Sequence, residues 1–180
     1  KVALVNPNTN QATTDAMVSI SRAVAPDWLL IEGVTVKNGV PLIAEPSALA
    51  VAADAVVALA PQLTTYDAVI IGAFGDPGRE RLAQALSSVP VVGIGESSMT
   101  EASQLSDNCF SVAQPLPGLN ACIRALATSC GCGDALRSVC SPEAGCDTSA
   151  VMASAESIEH TLAELVQRAI DADGAKAGVI

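Results

Sequence analysis

Three loops of this 180-residue sequence concentrate the residues that are suited to bind a small ligand. Each loop follows a short apolar run that predicts a buried strand, and the loops occupy residues 6–9, 72–78 and 114–118. In open parallel sheets, ligands bind beyond the carboxyl ends of the strands, where such loops gather. The three loops therefore indicate a ligand site at these strand ends.

The first loop is rich in side-chain amides. Asn6 and Asn8 can donate hydrogen bonds to a carbonyl or a carboxylate, and the start of the helix that follows favours negative charge. Turn formation and helix capping are the alternative explanation, because Asn, Pro and Thr are common in such turns. Both explanations remain open at this point.

The second loop, Gly-Ala-Phe-Gly-Asp-Pro-Gly at residues 72–78, is a tight turn whose backbone N–H groups can point at a ligand oxygen. Such donors stabilise an oxyanion without a formal positive charge. The turn is not a P-loop, because the Gly-Lys-Ser/Thr ending is absent. Within it, Asp76 is expected to brace the turn rather than to act as a base. In the third loop, two prolines stiffen residues 114–118.

Composition restricts the partners of the chain. Lys and Arg total 9 against 19 Asp and Glu, so the formal net charge is -10, which repels nucleic acid and anionic lipid. Aromatic residues make up only 2%, so stacking platforms for bases are not expected either. We therefore expect a small-molecule substrate, no nucleic acid and no membrane partner. The apolar helix faces of this Ala-rich chain favour a homo-oligomer.

The six cysteines are expected to be free thiols. Disulfide scaffolds are short and poor in core, whereas this chain is long and 50% hydrophobic. Four cysteines lie close together in the sequence, at Cys130, Cys132, Cys140 and Cys146. Zinc sites usually pair such residues as C-x2-C knuckles or with histidines, and the single histidine, His160, lies on a predicted solvated helix face. We therefore predict no metal site.

Short apolar runs alternate with helical patterns, which predicts an α/β fold with mostly parallel sheets. We expect strands at residues 2–5, 29–36, 68–72, 91–94, 109–113, 138–140 and 177–180, and helices at residues 11–25, 46–61, 96–105, 119–128 and 149–172. The least regular stretch, residues 131–147, is expected to be a surface loop. The pattern repeats in two similar lobes, residues 1–95 and 96–180, each a mostly parallel sheet flanked by helices.

The two ends of the sequence lead to two expectations, one on the extent of the chain and one on its location in the cell. The chain begins without Met and ends in a strand-like segment, so we expect further strand–helix units after residue 180. The first residues show neither a basic leader nor an apolar signal segment, which predicts a cytoplasmic protein.

Three motifs resemble the hydantoin and allantoin racemases of the aspartate/glutamate racemase superfamily, which also contains arylmalonate decarboxylase. They are Val-Asn-Pro-Asn-Thr at residues 5–9, the turn at residues 72–78, and Pro-Val-Val-Gly-Ile-Gly-Glu at residues 90–96. The resemblance covers the first 115 residues well and is mainly architectural beyond them. It implies an active site in the cleft between the two lobes, no cofactor, and a hydantoin, allantoin or amino-acid-like substrate.

The resemblance also implies a mechanism in which two cysteines flank the substrate carbon. A thiolate removes the proton from one face and a thiol returns one from the other, which is feasible because a thiol pKa near 8.5 is easily tuned towards neutrality. The same resemblance assigns substrate contacts to Asn6, Asn8, Ile43, Phe74, Gly75, Gln114 and Pro115.

The sequence departs from this pattern at the catalytic positions. The first cysteine of the family corresponds to Ala73, whose methyl group cannot carry a proton, and the second follows the closing strand, beyond residue 180. Three explanations stay open: an engineered substitution that traps substrate, a single-cysteine enzyme such as the decarboxylases, or a small-molecule binding protein without catalysis. The resemblance implies that decarboxylases of the superfamily carry a Thr-Ser pair where this sequence has Phe74 and Gly75. This difference favours a racemase-type pocket.

Overall fold

Two parallel sheets, each flanked by helices, form the α/β fold of this protein. The structure is a computed structural model that describes residues 1–143 and 145–174 and the backbone of residues 177–179. The chain divides into two units, Lys1–Gly95 and Glu96–Ile180. The predicted α/β class with parallel sheets flanked by helices is confirmed.

The first unit contains a four-stranded sheet. Its elements are β1 (Val2–Asn6), α1 (Gln11–Val24), β2 (Ile31–Thr35), α2 (Pro46–Val57), α3 (Ala60–Leu63), β3 (Ala68–Ile71), α4 (Arg79–Leu86), β4 (Val91–Gly93) and the start of α5 (Ile94–Leu105). The strands are parallel, in the order β2-β1-β3-β4. Because β1 and β3 are adjacent central strands, the loops that follow them are neighbours.

The core of the first unit lies on both faces of this sheet. All five residues of β1 are buried, as expected for a parallel strand that helices cover on both sides. The core cluster consists of Ala3, Val5, Val36, Val56, Leu59, Leu63, Val69, Ile71, Leu82 and Leu86. Burial of these side chains supplies the main free energy that holds the strand ends in place.

Local sequence explains the helix boundaries. Asn10 caps α1, since its side-chain oxygen accepts hydrogen bonds from the N–H groups of Ala12 at 3.0 Å and Thr13 at 3.4 Å. The predicted helix over residues 46–61 ends earlier, at Val57, and α3 begins after a break. Pro61 explains the break, because proline has no N–H and its ring clashes with the carbonyl four residues before it. None of the helices among the described residues is both long enough and apolar enough to span a bilayer.

A polar network holds the amino ends of β1, β2 and β3. Lys1 Nζ lies 2.9 Å from Glu32 Oε2 and 4.5 Å from the ring centre of Tyr66, whose hydroxyl donates to Glu32 Oε2 at 2.9 Å. The Glu32 hydrogen bond raises the pKa of Lys1, and the bonds from Lys1 and Tyr66 lower the pKa of Glu32. Burial, followed by the bond to Glu32, raises the pKa of Tyr66. This network lies at the amino ends of the strands, whereas the candidate ligand loops follow their carboxyl ends.

The second unit contains a three-stranded parallel sheet in the order β6-β5-β7. After α5, its elements are β5 (Phe110–Ala113), a 3-10 helix (Pro117–Leu119), α6 (Asn120–Ser129), β6 (Leu136–Cys140), α7 (Thr148–Val151), α8 (Ala155–Asp173) and β7 (Ala177–Val179). The central strand β5 is buried throughout. Ser111 and Ser138, on neighbouring strands, both donate to the Asp173 carboxylate and so tie the end of α8 to the sheet.

Two predicted elements of the second unit differ from the structure. The expected surface loop at residues 131–147 contains the five-residue strand β6, of which the sequence indicated only residues 138–140. The expected single helix over residues 149–172 is two helices, because α7 ends at Val151 and Ser154 caps a new helix, α8, by accepting from the Ser157 N–H at 3.1 Å. The predicted last strand includes β7, whereas its final residue, Ile180, lies outside the described residues.

Truncation of a core side chain in the first unit should destabilise the protein strongly. Leu82 is fully buried in α4, so Leu82→Ala should lower the free energy of unfolding by about 2–5 kcal/mol. Leu42, which is 44% exposed, is the matched control, and Leu42→Ala should cost less than about 1 kcal/mol. Urea unfolding followed by circular dichroism measures both values, and equal losses would contradict this assignment of the core.

Candidate functional site

The loops after β1 and β3 lie side by side at one edge of the first sheet. Val5 pairs with Ile71, and the Gly72 N–H donates to the Val5 carbonyl oxygen at 2.8 Å. Strand pairing thus continues to the point where both loops begin. The structure thereby brings the amide-rich loop and the Gly-rich turn together within the first unit.

Asn6 uses its side chain to shape its own loop. It is only 1% exposed, and its Nδ2 lies within hydrogen-bond distance of Thr14 Oγ1 (3.0 Å), the Asn10 carbonyl oxygen (2.9 Å) and Asn8 Oδ1 (3.1 Å). Its Oδ1 accepts from the Asn8 N–H at 3.1 Å. Since an amide has only two N–H hydrogens, these contacts use its donors fully. Asn6 is therefore a positioning residue in this structure, and direct substrate contact stays a prediction.

Asn8 and the segment before Ile43 complete this side of the site. Asn8 is half-buried, and its Oδ1 accepts from the Asn10 N–H at 2.9 Å. The Thr9 N–H donates to the Val40 carbonyl oxygen at 3.0 Å, so the segment leading to Ile43 runs beside the loop. Ile43 itself is buried.

The turn at residues 72–78 offers main-chain donors. The Asp76 N–H donates to the Ala73 carbonyl oxygen at 3.0 Å and closes the turn. Within the described part of the chain, the N–H groups of Phe74 and Gly75 donate to no protein acceptor. Both residues are half-buried, and Gly75 has φ of 115°, a conformation that favours glycine. The turn therefore presents two neighbouring donors that a ligand oxygen can accept from.

A buried carboxylate fixes this turn to the start of α5. Asp76 is 6% exposed, has φ of 47°, and accepts from the Gly95 N–H through Oδ1 at 2.9 Å. A Cβ at Gly93 would lie 2.1 Å from the Asp76 Cγ and 2.2 Å and 2.4 Å from its carboxylate oxygens. The carboxylate thus occupies the space that a side chain at position 93 would need. Sequence reasoning identified the bracing role of Asp76 but missed Gly93.

Position 73 contributes no acid or base. Ala73 is half-buried directly after the end of β3, and all six cysteines fall within residues 96–180. The first unit, as described, therefore provides donors for an oxyanion but no thiol.

Gln114 and Pro115 belong to the second unit and follow its central strand, β5. The Gln114 side chain is buried, donates through Nε2 to Asn120 Oδ1, and accepts from the Leu116 N–H at 2.8 Å. Asn120 in turn donates to Ser141 Oγ at 2.8 Å. Gln114 therefore holds the loop in which the half-buried Pro115 lies, and their predicted substrate contacts stay predictions.

Residues suited to bind metal are dispersed in the described regions, 1–143 and 145–174. No group of three or more His, Cys, Asp or Glu side chains there is arranged to hold a metal ion. The six cysteines are free thiols. His160 is exposed on α8, with Nε2 at 3.3 Å from Glu164 Oε1, one helical turn away.

Fold and site together define a parallel α/β protein with a Gly-rich turn at its strand ends, where the Phe74 and Gly75 N–H groups donate to no acceptor among the described residues. The sequence matches the Asp/Glu/hydantoin racemase family over residues 2–180, and the chain belongs to this family. It is accordingly an isomerase of the racemase class. The resemblance that the three motifs predicted is confirmed.

Two solved structures are closely similar to this chain. The allantoin racemase from Klebsiella pneumoniae is 27% identical with a TM-score of 0.88, and the match covers 98% of this chain and 71% of that one. The allantoin racemase from Pseudomonas fluorescens is 26% identical with a TM-score of 0.86, covering 98% of this chain and 74% of that one. A search of curated proteins gives no match.

The contact between Asp76 and Gly93 should appear as a coupling between two substitutions. Gly93→Ala places a methyl group against a buried, hydrogen-bonded carboxylate, so it should lower the free energy of unfolding by about 1–3 kcal/mol. In the Asp76→Ala background the same change should cost at least about 1 kcal/mol less, because the obstructing atoms are absent. Urea unfolding of the four proteins measures the coupling, and strictly additive effects would argue against the contact.

The positioning role of Asn6 predicts a loss of stability on truncation. Asn6→Ala should lower the free energy of unfolding by about 1–3 kcal/mol, because the Asn8 N–H loses its acceptor and several contacts to Nδ2 disappear. The exposed Asn38 is the control, and Asn38→Ala should change stability by no more than about 0.5 kcal/mol. Thermal unfolding checks both, and an unchanged Asn6→Ala variant would refute the role.

Proposed function

We propose that this protein is a cofactor-independent racemase or epimerase that acts on a carbon next to a carbonyl group. The observation that carries the proposal is the pair of main-chain N–H groups at Phe74 and Gly75, which donate to no acceptor in the described chain. When a proton leaves such a carbon, negative charge develops on the carbonyl oxygen, and fixed donors aimed at that oxygen lower the barrier. Membership of the racemase family supports this reading.

The substrate we propose is a small cyclic ureide such as allantoin or a hydantoin, with an amino-acid-like compound as a related possibility. Two similar solved structures are those of allantoin racemases, which supports a ureide. In this proposal the substrate lies beside the turn at residues 72–78. Its contacts come from Asn6, Asn8, Ile43, Phe74, Gly75, Gln114 and Pro115.

The proposed chemistry is two-base proton transfer between thiols. One group must remove the proton and another must deliver one to the opposite face, and thiols suit this task because their pKa is readily tuned. Ala73 occupies the position of the first thiol, so proton transfer on that face is absent from this chain. The second thiol is proposed to follow β7. An engineered substitution at position 73 that traps substrate would account for this arrangement.

Ala73 also favours a second candidate, a cysteine-dependent decarboxylase of the same superfamily. A decarboxylase needs only one thiol, because carbon dioxide leaves from one side and a single proton replaces it. Release of carbon dioxide from an arylmalonate would identify this activity. A third outcome, stabilisation by ligand without any chemistry, would identify a small-molecule binding protein.

We also propose a cytoplasmic homo-oligomer that has no nucleic acid or membrane partner. Large apolar side chains are exposed near the end of α1 and after it, among them Ile20, Val24 and Trp28, which are 69%, 83% and 80% exposed. Apolar surface of this kind is suited to association between copies. The strongly negative net charge supports the exclusion of nucleic acid.

Restoring a thiol at position 73 should create proton exchange. In D2O with one enantiomer of allantoin, Ala73→Cys should accelerate deuterium uptake at the chiral carbon by about 10²-fold or more over the unchanged chain, once the spontaneous rate is subtracted. Proton NMR measures the uptake, and optical rotation measures racemisation. One thiol alone gives exchange with retained configuration, whereas two give exchange and racemisation together.

Ala73→Ser is the matched control for this experiment. Its hydroxyl has nearly the size of a thiol but does not ionise near neutral pH, so its exchange rate should remain close to that of the unchanged chain. Equal rates for the Cys and Ser variants, in proteins shown to bind allantoin, would contradict the proposed position of the base.

A further inference from the structure

A sharp turn with two cysteines ends α6. The Cys130 N–H donates to the Leu126 carbonyl oxygen at 3.0 Å, and the Cys132 N–H donates to the Ala127 carbonyl oxygen at 2.8 Å. Between them Gly131 has φ of +77°, the left-handed conformation that commonly ends helices. The two cysteines are thus held on one tight, hydrogen-bonded turn.

The geometry of this turn suits a disulfide. Two Cα atoms that are two residues apart are separated by at most roughly 7 Å, and a bend at the middle residue shortens that distance. Disulfides form when the Cα separation is about 4.4–6.8 Å. Apart from Gly131 and its neighbours Cys130 and Cys132, no heavy atom of the described residues lies within 4 Å of the place where a Cβ at Gly131 would stand, so no other part of the chain crowds the turn.

The two thiols share one environment. Cys132 Sγ lies 3.8 Å from the Cys130 carbonyl oxygen, and Cys130 Sγ lies 3.5 Å from the Ala127 carbonyl oxygen. Burial raises the pKa of Cys130, and the neighbouring Cys132 thiol raises it further, with a smaller effect from Glu96. Cys130 is half-buried and Cys132 is 5% exposed, so a reagent from solution meets Cys130 first.

We propose that Cys130 and Cys132 form a reversible thiol–disulfide site in the second unit. The oxidant is a low-molecular-weight disulfide of the glutathione type. The Cys130 thiolate attacks one sulfur of this disulfide, forms a mixed disulfide and releases one small thiol. Cys132 then loses its proton and attacks Cys130 Sγ, so that the second small thiol leaves. Two protein thiols are oxidised, and one small disulfide is reduced to two thiols.

The disulfide would be a labile one. It closes a ring over a single residue, so it removes little conformational entropy from the unfolded chain, and it stabilises the fold only modestly. Strained or accessible disulfides are also the ones that are reduced most easily. The site therefore responds to the ratio of small thiols to disulfides and has no structural role. This inference does not rest on the proposed racemase function.

Peptide mapping tests the site directly. Cleavage after Arg124 and Arg137 yields a peptide of residues 125–137, which contains Cys130 and Cys132 and no other cysteine. After the folded chain is treated with oxidised glutathione and alkylated, this peptide should have lost two hydrogen atoms and carry no alkyl group. Dithiothreitol should restore both thiols. Alkylation of both residues after oxidation, or a bridge to another cysteine, would overturn the proposal.

Two variants and one condition sharpen the result. Cys132→Ser should leave glutathione attached to Cys130, because the second attack is impossible, whereas the half-buried Cys146, replaced by Ser, should leave the bridge intact. The chain unfolded in urea should need about tenfold more oxidised glutathione to form the same fraction of the Cys130–Cys132 bridge, since the turn no longer holds the two thiols together. Equal requirements for folded and unfolded chains would show that the turn builds no site, and would also overturn the proposal.

Discussion

The fit between the Asp76 carboxylate and the space beside Gly93 is the constraint on which the candidate site depends. A buried carboxylate is tolerated only when its oxygens are hydrogen-bonded, and the Gly95 N–H meets this need at 2.9 Å. The contact joins the turn after β3 to the start of α5, two segments that share no strand pairing at that point. With Asp76 held at φ of 47°, the turn keeps the shape in which the Phe74 and Gly75 N–H groups meet no acceptor among the residues that the structure describes.

In both loops of the first unit a polar side chain holds the loop in shape, and in the turn after β3 main-chain amides are left to bind a ligand. In the loop after β1, the Asn6 amide is used up by Thr14, Asn8 and the Asn10 carbonyl oxygen, so the polar side chain acts as a brace. In the turn after β3, another side chain is the brace, and main-chain amides remain for a ligand. Main-chain donors cost little reorganisation because rigid strands hold them. Polar side chains whose type and position suggest contact with a ligand can therefore act instead by holding the loop in shape.

Much of the fold was predictable because its signals are local. The continuous apolar runs of β1 and β3 are recognisable within a few residues of sequence. The break before α8 was missed, because a capping serine inside a helical pattern is also compatible with an unbroken helix. The turn at residues 72–78 was recognisable from its glycines. The need for glycine at position 93 was not, because it arises from a contact between residues far apart in the chain.

In the proposed mechanism, Ala73 separates two contributions that enzymes acting on carbon acids normally combine. Stabilising the developing oxyanion and moving the proton are distinct tasks, and the first requires only fixed donors, whereas the second requires an ionisable group. This chain has main-chain donors at Phe74 and Gly75, and in the proposed mechanism the methyl group of Ala73 takes the place of the base. Donors that also bind the neutral carbonyl oxygen of the substrate retain affinity when the base is lost. In the proposed mechanism, a methyl group at position 73 therefore weakens turnover far more than it weakens substrate binding.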